Sequence, residues 1–309
     1  VGYVYLLLAT LAWSFVGLLV KSASTMVDAP LITFARFSLG ILFLGAFLFM
    51  KNGRLELRGN LRWIWLGAIG KSINYIFENI AISMGYAYGN ILVPPIQTVV
   101  LLAASAWLFR ERVSGKGWIA AACCIAGVLA ISWNGQPLDS LLGASGWITV
   151  LFACSAFGSA LHVLSQKRLI EQMDNGTMNF SVFFWCSVLT ALPLPVQSAG
   201  LIGPVSGAAL LALAALGLIT GLSFVWFAEA VRRVPFPMVI LVSNSMALFT
   251  ILWSFLFLGE PITGYILGGT FLFFLGLVLL HLPLMRAKRR PEAERAEETK
   301  ETKETATSP

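Results

Sequence analysis

The stretch GAALLALAALGLITGLSFVWFAEAVRR, residues 207–233, decides the fold. It carries no charge before Glu229 and then ends on Arg232 and Arg233. Wound as a helix at about 1.5 Å per residue, its uncharged part is about 33 Å long, which matches a hydrocarbon core of about 30 Å. Such a helix has no face to offer water, so it belongs in lipid.

Runs of the same kind recur on both sides of it. We read spans 1 to 10 at 3–20, 31–50, 62–84, 89–109, 115–133, 146–166, 178–198, 207–231, 235–258 and 263–284. Apolar residues make up 58% of the 309 residues and charged residues only 12%. A soluble domain needs about 25% charge to cover its surface, so most of this surface faces something other than water. The run 3–20 has no basic leader or small-residue cleavage site and is read as span 1.

The basic residues orient the chain. Connections after even-numbered spans hold fifteen, from Lys51 and Arg54 through Arg110, Arg112, Lys167 and Arg232 to Arg290, whereas those after odd-numbered spans hold Lys21 alone. Basic connections stay in the cytoplasm, so both termini are expected there, in a bacterial plasma (inner) membrane. The net charge of +6 is a topology signal of this kind, and nucleic acid is excluded as a partner. Cys123, Cys124, Cys154 and Cys186 all fall inside apolar runs and read as packing residues. From Arg286 to Pro309 the chain mixes charge with Thr and Pro, the composition of a disordered cytoplasmic tail.

The two halves resemble each other at a shift of 149 positions. Glu111 falls on Glu260, Gly115 on Gly264, Gly127 on Gly276 and Ala81 on Ala230. Five spans per copy is an odd number, so the second copy enters the membrane upside down. Inverted repeats are a recurrent basis for alternating access. The expected fold class is therefore all-α integral membrane: ten transmembrane helices as two inverted five-helix repeats, residues 1–134 and 146–284.

Leu258-Gly259-Glu260-Pro261 followed by a Gly-rich last span, together with this repeat, resembles the EamA-like branch of the drug/metabolite transporter superfamily over about residues 3–284. The first copy departs from that pattern with Arg110-Glu111-Arg112. The resemblance implies a basket in which spans 1–4 and 6–9 surround a central cavity, with spans 5 and 10 peripheral. It also implies export of small metabolites or amino acids.

Charges inside the bilayer cost at least about 2.5–3.5 kcal/mol each and need a reason. Span 3 places Lys71, Asn74, Tyr75 and Glu78 at helical spacings 0, 3, 4 and 7, a polar stripe that must face protein or a cavity. Lys71 is read as lining the cavity. Arg36 of span 2 and Glu78 sit at nearly the same depth, either as an ion pair at an external gate or as a permanent lock between two helices. The positions matching Lys71 and Asn74 in the second copy are Thr220 and Ser223, so the cavity is electrostatically lopsided and suits an anionic group. His162 and Glu229 share a depth near the cytoplasmic end; they form either a proton relay or unrelated local contacts, with Glu229 held by Arg232 or Arg233. Gln97 and Asn244 lie near mid-membrane, and Pro94-Pro95 is expected to bend span 4. Trp13, Tyr75 and Trp185 offer flat apolar surfaces. Together these residues suit an amphipathic small molecule.

No phosphate-cradling Gly-x-x-x-x-Gly-Lys loop, His-Glu-x-x-His pair or Gly-x-Ser-x-Gly elbow is present, so neither an enzyme nor a cofactor is expected. A flippase for a lipid-linked sugar or another amphiphile is the alternative to a metabolite exporter. Gly264-x-x-x-Gly268 in span 10 permits close helix approach, either within the monomer or in a homodimer.

Overall fold

The computed structural model describes residues 1–108, 115–135, 144–194, 200–234 and 236–279. Among them the chain is helical, with one isolated antiparallel bridge between Val27 and Leu201. The helices are α1 (Gly2–Ser14), α2 (Val16–Ala23), α3 (Ala29–Asn52), α4 (Arg62–Met84), α5 (Val93–Leu108) and α6 (Gly115–Trp133). After these come α7 (Ala144–Leu169), α8 (Asn175–Ala191), α9 (Gly207–Arg233), α10 (Phe236–Asn244), α11 (Met246–Leu258) and α12 (Gly264–Leu279). A 3-10 turn, Ala87–Leu92, leads into α5. Glu111 and the tail beyond residue 279 lie outside the described residues.

Among the described residues six stretches are long and apolar enough to cross a membrane: Gly2–Ala23, Ala29–Asn52, Ala87–Ala104, Gly115–Trp133, Gly146–Leu169 and Gly207–Arg233. Shorter apolar helices accompany them at Val242–Leu258 and Gly264–Leu279. The protein is thus a multi-pass membrane protein, helical throughout its described spans. α4 has 23 residues but is not among the six, because its polar stripe lowers its hydropathy. That stripe needs protein around it, and α4 packs more extensively against α7 than any other two helices do against each other.

The α4–α7 crossing depends on glycine. A Cβ added at Gly70 would lie 2.7 Å from the Gly158 carbonyl oxygen, and one added at Gly158 would lie 2.5 Å from that of Gly70. The two backbones touch there, which leaves the flanking polar side chains within hydrogen-bonding reach.

Two spans are broken. α1 gives way to α2 at Phe15, and α10 to α11 at Ser245. Backbone groups freed inside a membrane must be satisfied by protein. The Ser14 carbonyl accepts from Thr250 Oγ1 at 3.2 Å, and the Ser14 hydroxyl accepts from Trp253 Nε1 at 2.9 Å. Pro94-Pro95, expected to bend span 4, lie at the start of a helix. The prolines fall in the first turn of α5, directly after the 3-10 turn, where missing N–H donors cost nothing.

Asp174 caps α8 by accepting from the Gly176 and Thr177 N–H groups at 2.9 and 3.0 Å. Asp174→Ala is expected to cost about 1 kcal/mol, read as a lower unfolding midpoint in detergent. Partial burial pushes this carboxyl up, but hydrogen bonds from Thr177 and Gly176 leave it below its ordinary value. The contribution is therefore complete above the unfolded pKa of about 3.9 and is lost as pH falls through the lower folded value.

Candidate functional site

The stripe on α4 meets a second one on α7. Ser155, Ser159 and His162 stand at helical spacings 0, 4 and 7, and all are buried. Asn74 Nδ2 donates to Ser155 Oγ at 2.7 Å, and Ser159 Oγ donates to Gln97 Oε1 of α5 at 2.8 Å.

Lys71 lies between these helices, 7% exposed. Its ammonium donates to Asn74 Oδ1 at 2.9 Å and stands 4.5 Å from the centre of the Tyr75 ring and 5.2 Å from that of Phe224 on α9. Among the described residues no carboxylate comes within 4.0 Å of it. Aromatic faces and a neutral amide offset only part of the cost of burying a cation. Beside it, His162 is 2% exposed, and its ring faces the Gly67 backbone without a hydrogen bond of ordinary geometry at either nitrogen. Phe224 stacks edge-on to Trp13 of α1 at 5.4 Å and faces the His162 ring at 6.4 Å. One cation, one buried histidine and three aromatic rings thus converge on one place.

Arg36 on α3 is the other buried cation, 1% exposed. Its Nη1 donates to Asn79 Oδ1 at 2.7 Å and lies 3.9 Å from Glu78 Oε2, and its guanidinium covers the Tyr75 ring at 3.8 Å. Asn79 in turn donates to Thr33 Oγ1 at 2.8 Å. Unlike Lys71, Arg36 has a carboxylate at hand.

The family model described as the EamA-like transporter family matches residues 1–133 and again 146–282, nearly the whole described chain. The protein belongs to the EamA-like transporter family. It is 22% identical over 260 residues to the "uncharacterized inner membrane transporter YhbE" of Escherichia coli strain K12, which covers 82% of this chain and 80% of the relative. YhbE from E. coli O157:H7 and from Shigella flexneri match to the same extent. A solved crystal structure with 18% identity superposes with a TM-score of 0.64 over 91% of this chain and 98% of its own, a likeness of fold.

In this EamA-like transporter several expected residues stand apart from Lys71. Trp185 donates its indole N–H to the Arg58 carbonyl at 3.1 Å and packs on Trp65 at 4.4 Å, at the edge of the bundle rather than in its centre. Glu229 pairs with Arg233 one turn along the same helix, so equal depth did not bring it to His162. Asn244, half-buried, closes α10 at the break before α11. Sequence reasoning missed Asn79, Ser155 and Phe224. Phe224 was within reach, since the 149 shift carries Tyr75 onto it.

A cavity of about 530 Å³ lies elsewhere than around Lys71, at the end of the bundle where α4 hands over to α5. Lys21, Tyr86, Tyr88, Asn134, Phe152 and Glu260 help to line it. Lys21 Nζ donates to the carbonyls of Ile82, Ser83 and Gly85 at 3.2, 3.3 and 2.6 Å, a cation at the negative end of α4. Glu260 accepts from the Ala87 N–H at 2.7 Å and the Tyr88 N–H at 3.4 Å, an anion at the positive start of the next span.

Proposed function

We propose that this EamA-like transporter is a secondary transporter that works by alternating access. Its cargo is small amphipathic metabolites with an acidic group, amino acids first among them, exported across a bacterial inner membrane. The observation that carries this reading is Lys71, a buried cation without a carboxylate beside it, set among Tyr75, Phe224 and Trp13 next to the buried ring of His162. A substrate carboxylate supplies the missing counter-charge, and an apolar body lies against the rings. Lys71, Asn74, Tyr75, Gln97 and Trp13 form the binding group, with Arg36 and Glu78 as its gate toward the outside.

Two inverted copies, 1–134 and 146–284, of five spans each underlie the alternation. Ser38 and Ser187, 149 positions apart, share a hydrogen bond at 2.7 Å, as residues on a two-fold axis do. A Cβ at Gly127 would lie 2.6 Å from the Gly269 carbonyl oxygen and one at Gly276 2.8 Å from that of Ala120, the same contact with the copies exchanged. The peripheral pair α6 and α12 is thus joined reciprocally. Gly264 and Gly268 of α12 have nothing within 4 Å of a built Cβ and are free to meet lipid or a second copy of the chain. Both termini lie in the cytoplasm on the basic side, and the name of YhbE supports the inner-membrane location.

Counterflow in proteoliposomes tests the reading, with carboxylate solutes set against their uncharged amides. The expected result is saturable exchange of the acids, at least about tenfold faster than the amides. Equal exchange of acid and amide removes Lys71 from recognition, and non-saturable flux makes the protein a channel. No flux of any soluble solute moves the assignment to a lipid-linked amphiphile.

A further inference from the structure

Glu260 combines burial with a structural grip at the edge of a cavity in a way the transport site around Lys71 does not use. It is 7% exposed, yet its carboxylate borders the 530 Å³ cavity at the end of the bundle remote from the basic connections. Its two oxygens hold the first N–H groups of the span that begins at Ala87. A titration here therefore acts on the position of a whole helix.

We propose that Glu260 is the proton-binding site of this transporter on the outer side, and that taking up a proton there favours the state in which the cavity stands open and the start of the fourth span is held against the loop before α12. The use of that proton in transport rests on the function proposed above, whereas its binding does not.

The sign follows from what surrounds the carboxyl. From α2 comes the Lys21 ammonium, from the 3-10 turn the Tyr86 and Tyr88 phenols and two N–H groups, and from α11 the Ser254 hydroxyl. The turn after α6 contributes Asn134, and α7 contributes Thr149 and Phe152, none of which carries a charge. Lys21 is already committed to three carbonyls at the end of α4, so it is a distant counter-charge rather than a partner. Burial pushes the Glu260 carboxyl above its ordinary value, and the N–H groups, Ser254 and Lys21 do not fully offset it. A state in which a carboxyl holds its proton more tightly is favoured by acid over one in which that carboxyl meets water. Each unit of pKa difference between the two states shifts their ratio by about tenfold.

The test reads the titration and the conformational change separately from transport. In a protein whose Cys123, Cys124, Cys154 and Cys186 are replaced by alanine or serine, Thr149→Cys places one thiol on the cavity wall. Its labelling by a membrane-impermeant maleimide is followed from neutral to mildly acidic pH, as a ratio to the same thiol in Glu260→Gln. The ratio cancels the thiol's own titration. The amide oxygen that Glu260→Gln introduces would still accept the Ala87 N–H, and the neutral side chain stands in for the protonated acid, so the fold is kept. With wild-type Glu260 the ratio is expected to rise about tenfold toward one as pH falls, and Glu260→Asp should keep a titration with a displaced midpoint. Infrared difference spectra over the same range should show one protonated-carboxyl band that Glu260→Gln removes. A flat ratio, or a band that survives Glu260→Gln, overturns the proposal. If the band and ratio behave as expected while no soluble solute is carried, the transport reading fails and Glu260 stands.

Discussion

Lys71→Met lowers carboxylate counterflow in proteoliposomes about 10- to 100-fold at subsaturating solute, while the unfolding midpoint stays level or rises. The two halves of this expectation have one cause. A charge-assisted hydrogen bond is worth about 1.5–3 kcal/mol, and about 1.4 kcal/mol is a tenfold change, which sets the loss of flux. A buried cation without an adjacent carboxylate is also a standing cost to the empty fold, and methionine keeps the shape while removing the charge. A lysine kept for structure would behave in the opposite way, with stability falling at least as far as transport. Flux and thermal midpoint measured on the same preparation separate the two cases. An unchanged flux with a lowered midpoint ends the assignment of Lys71 to the substrate.

Gly158→Leu is expected to have the largest effect on folding. The new Cβ would meet the Gly70 carbonyl oxygen at 2.5 Å and the Asn74 backbone nitrogen at 2.6 Å, and both are main-chain atoms that no rotamer change can move. α4 and α7 would have to separate, breaking the Asn74–Ser155 bond and exposing Lys71's neighbourhood to lipid. The cost lies at the top of the range of about 1–3 kcal/mol for overpacking, or above it. Size-exclusion of the detergent extract should show little monodisperse protein. Gly268→Leu is the matched control, since nothing stands within 4 Å of its Cβ, and it should leave the monomer's midpoint unchanged. Equal damage by both substitutions would mean that the crossing of α4 and α7 is not what holds the site.

The helical runs and the inward face of α4 were legible in the sequence, because both are periodic properties of a single segment. Lys71, Asn74 and Tyr75 are buried where a spacing of 0, 3 and 4 puts them. Which helix would answer that face was not legible. The partner is chosen by small residues such as Gly70 and Gly158, and one glycine in an apolar run gives no sign of what it touches. Depth was readable but rotation about the helix axis was not, which is why equal depth left open whether Glu229 meets His162 or Arg232 or Arg233, the structure pairing it with Arg233, and why Trp185 was assigned to the centre rather than the rim. The Pro94-Pro95 pair signalled a change of direction, but only the structure shows it to be the start of a helix.

The hairpin from α4 into α5 is pinned at its tip by Lys21 from one side and by Glu260 from the other. These two residues lie far apart along the chain, and Glu260 follows Ala87 by 173 positions. A ribosome working from the N-terminus therefore delivers the cation before the hairpin and the anion long after it. Spans 3 and 4 enter the membrane with one end of their turn secured and the other unmet, and they wait in that condition until the loop before α12 emerges. A loop of the second half, synthesised well after the hairpin, completes a joint in the first half, so a chain that stops short of Glu260 leaves that joint open for quality control to find.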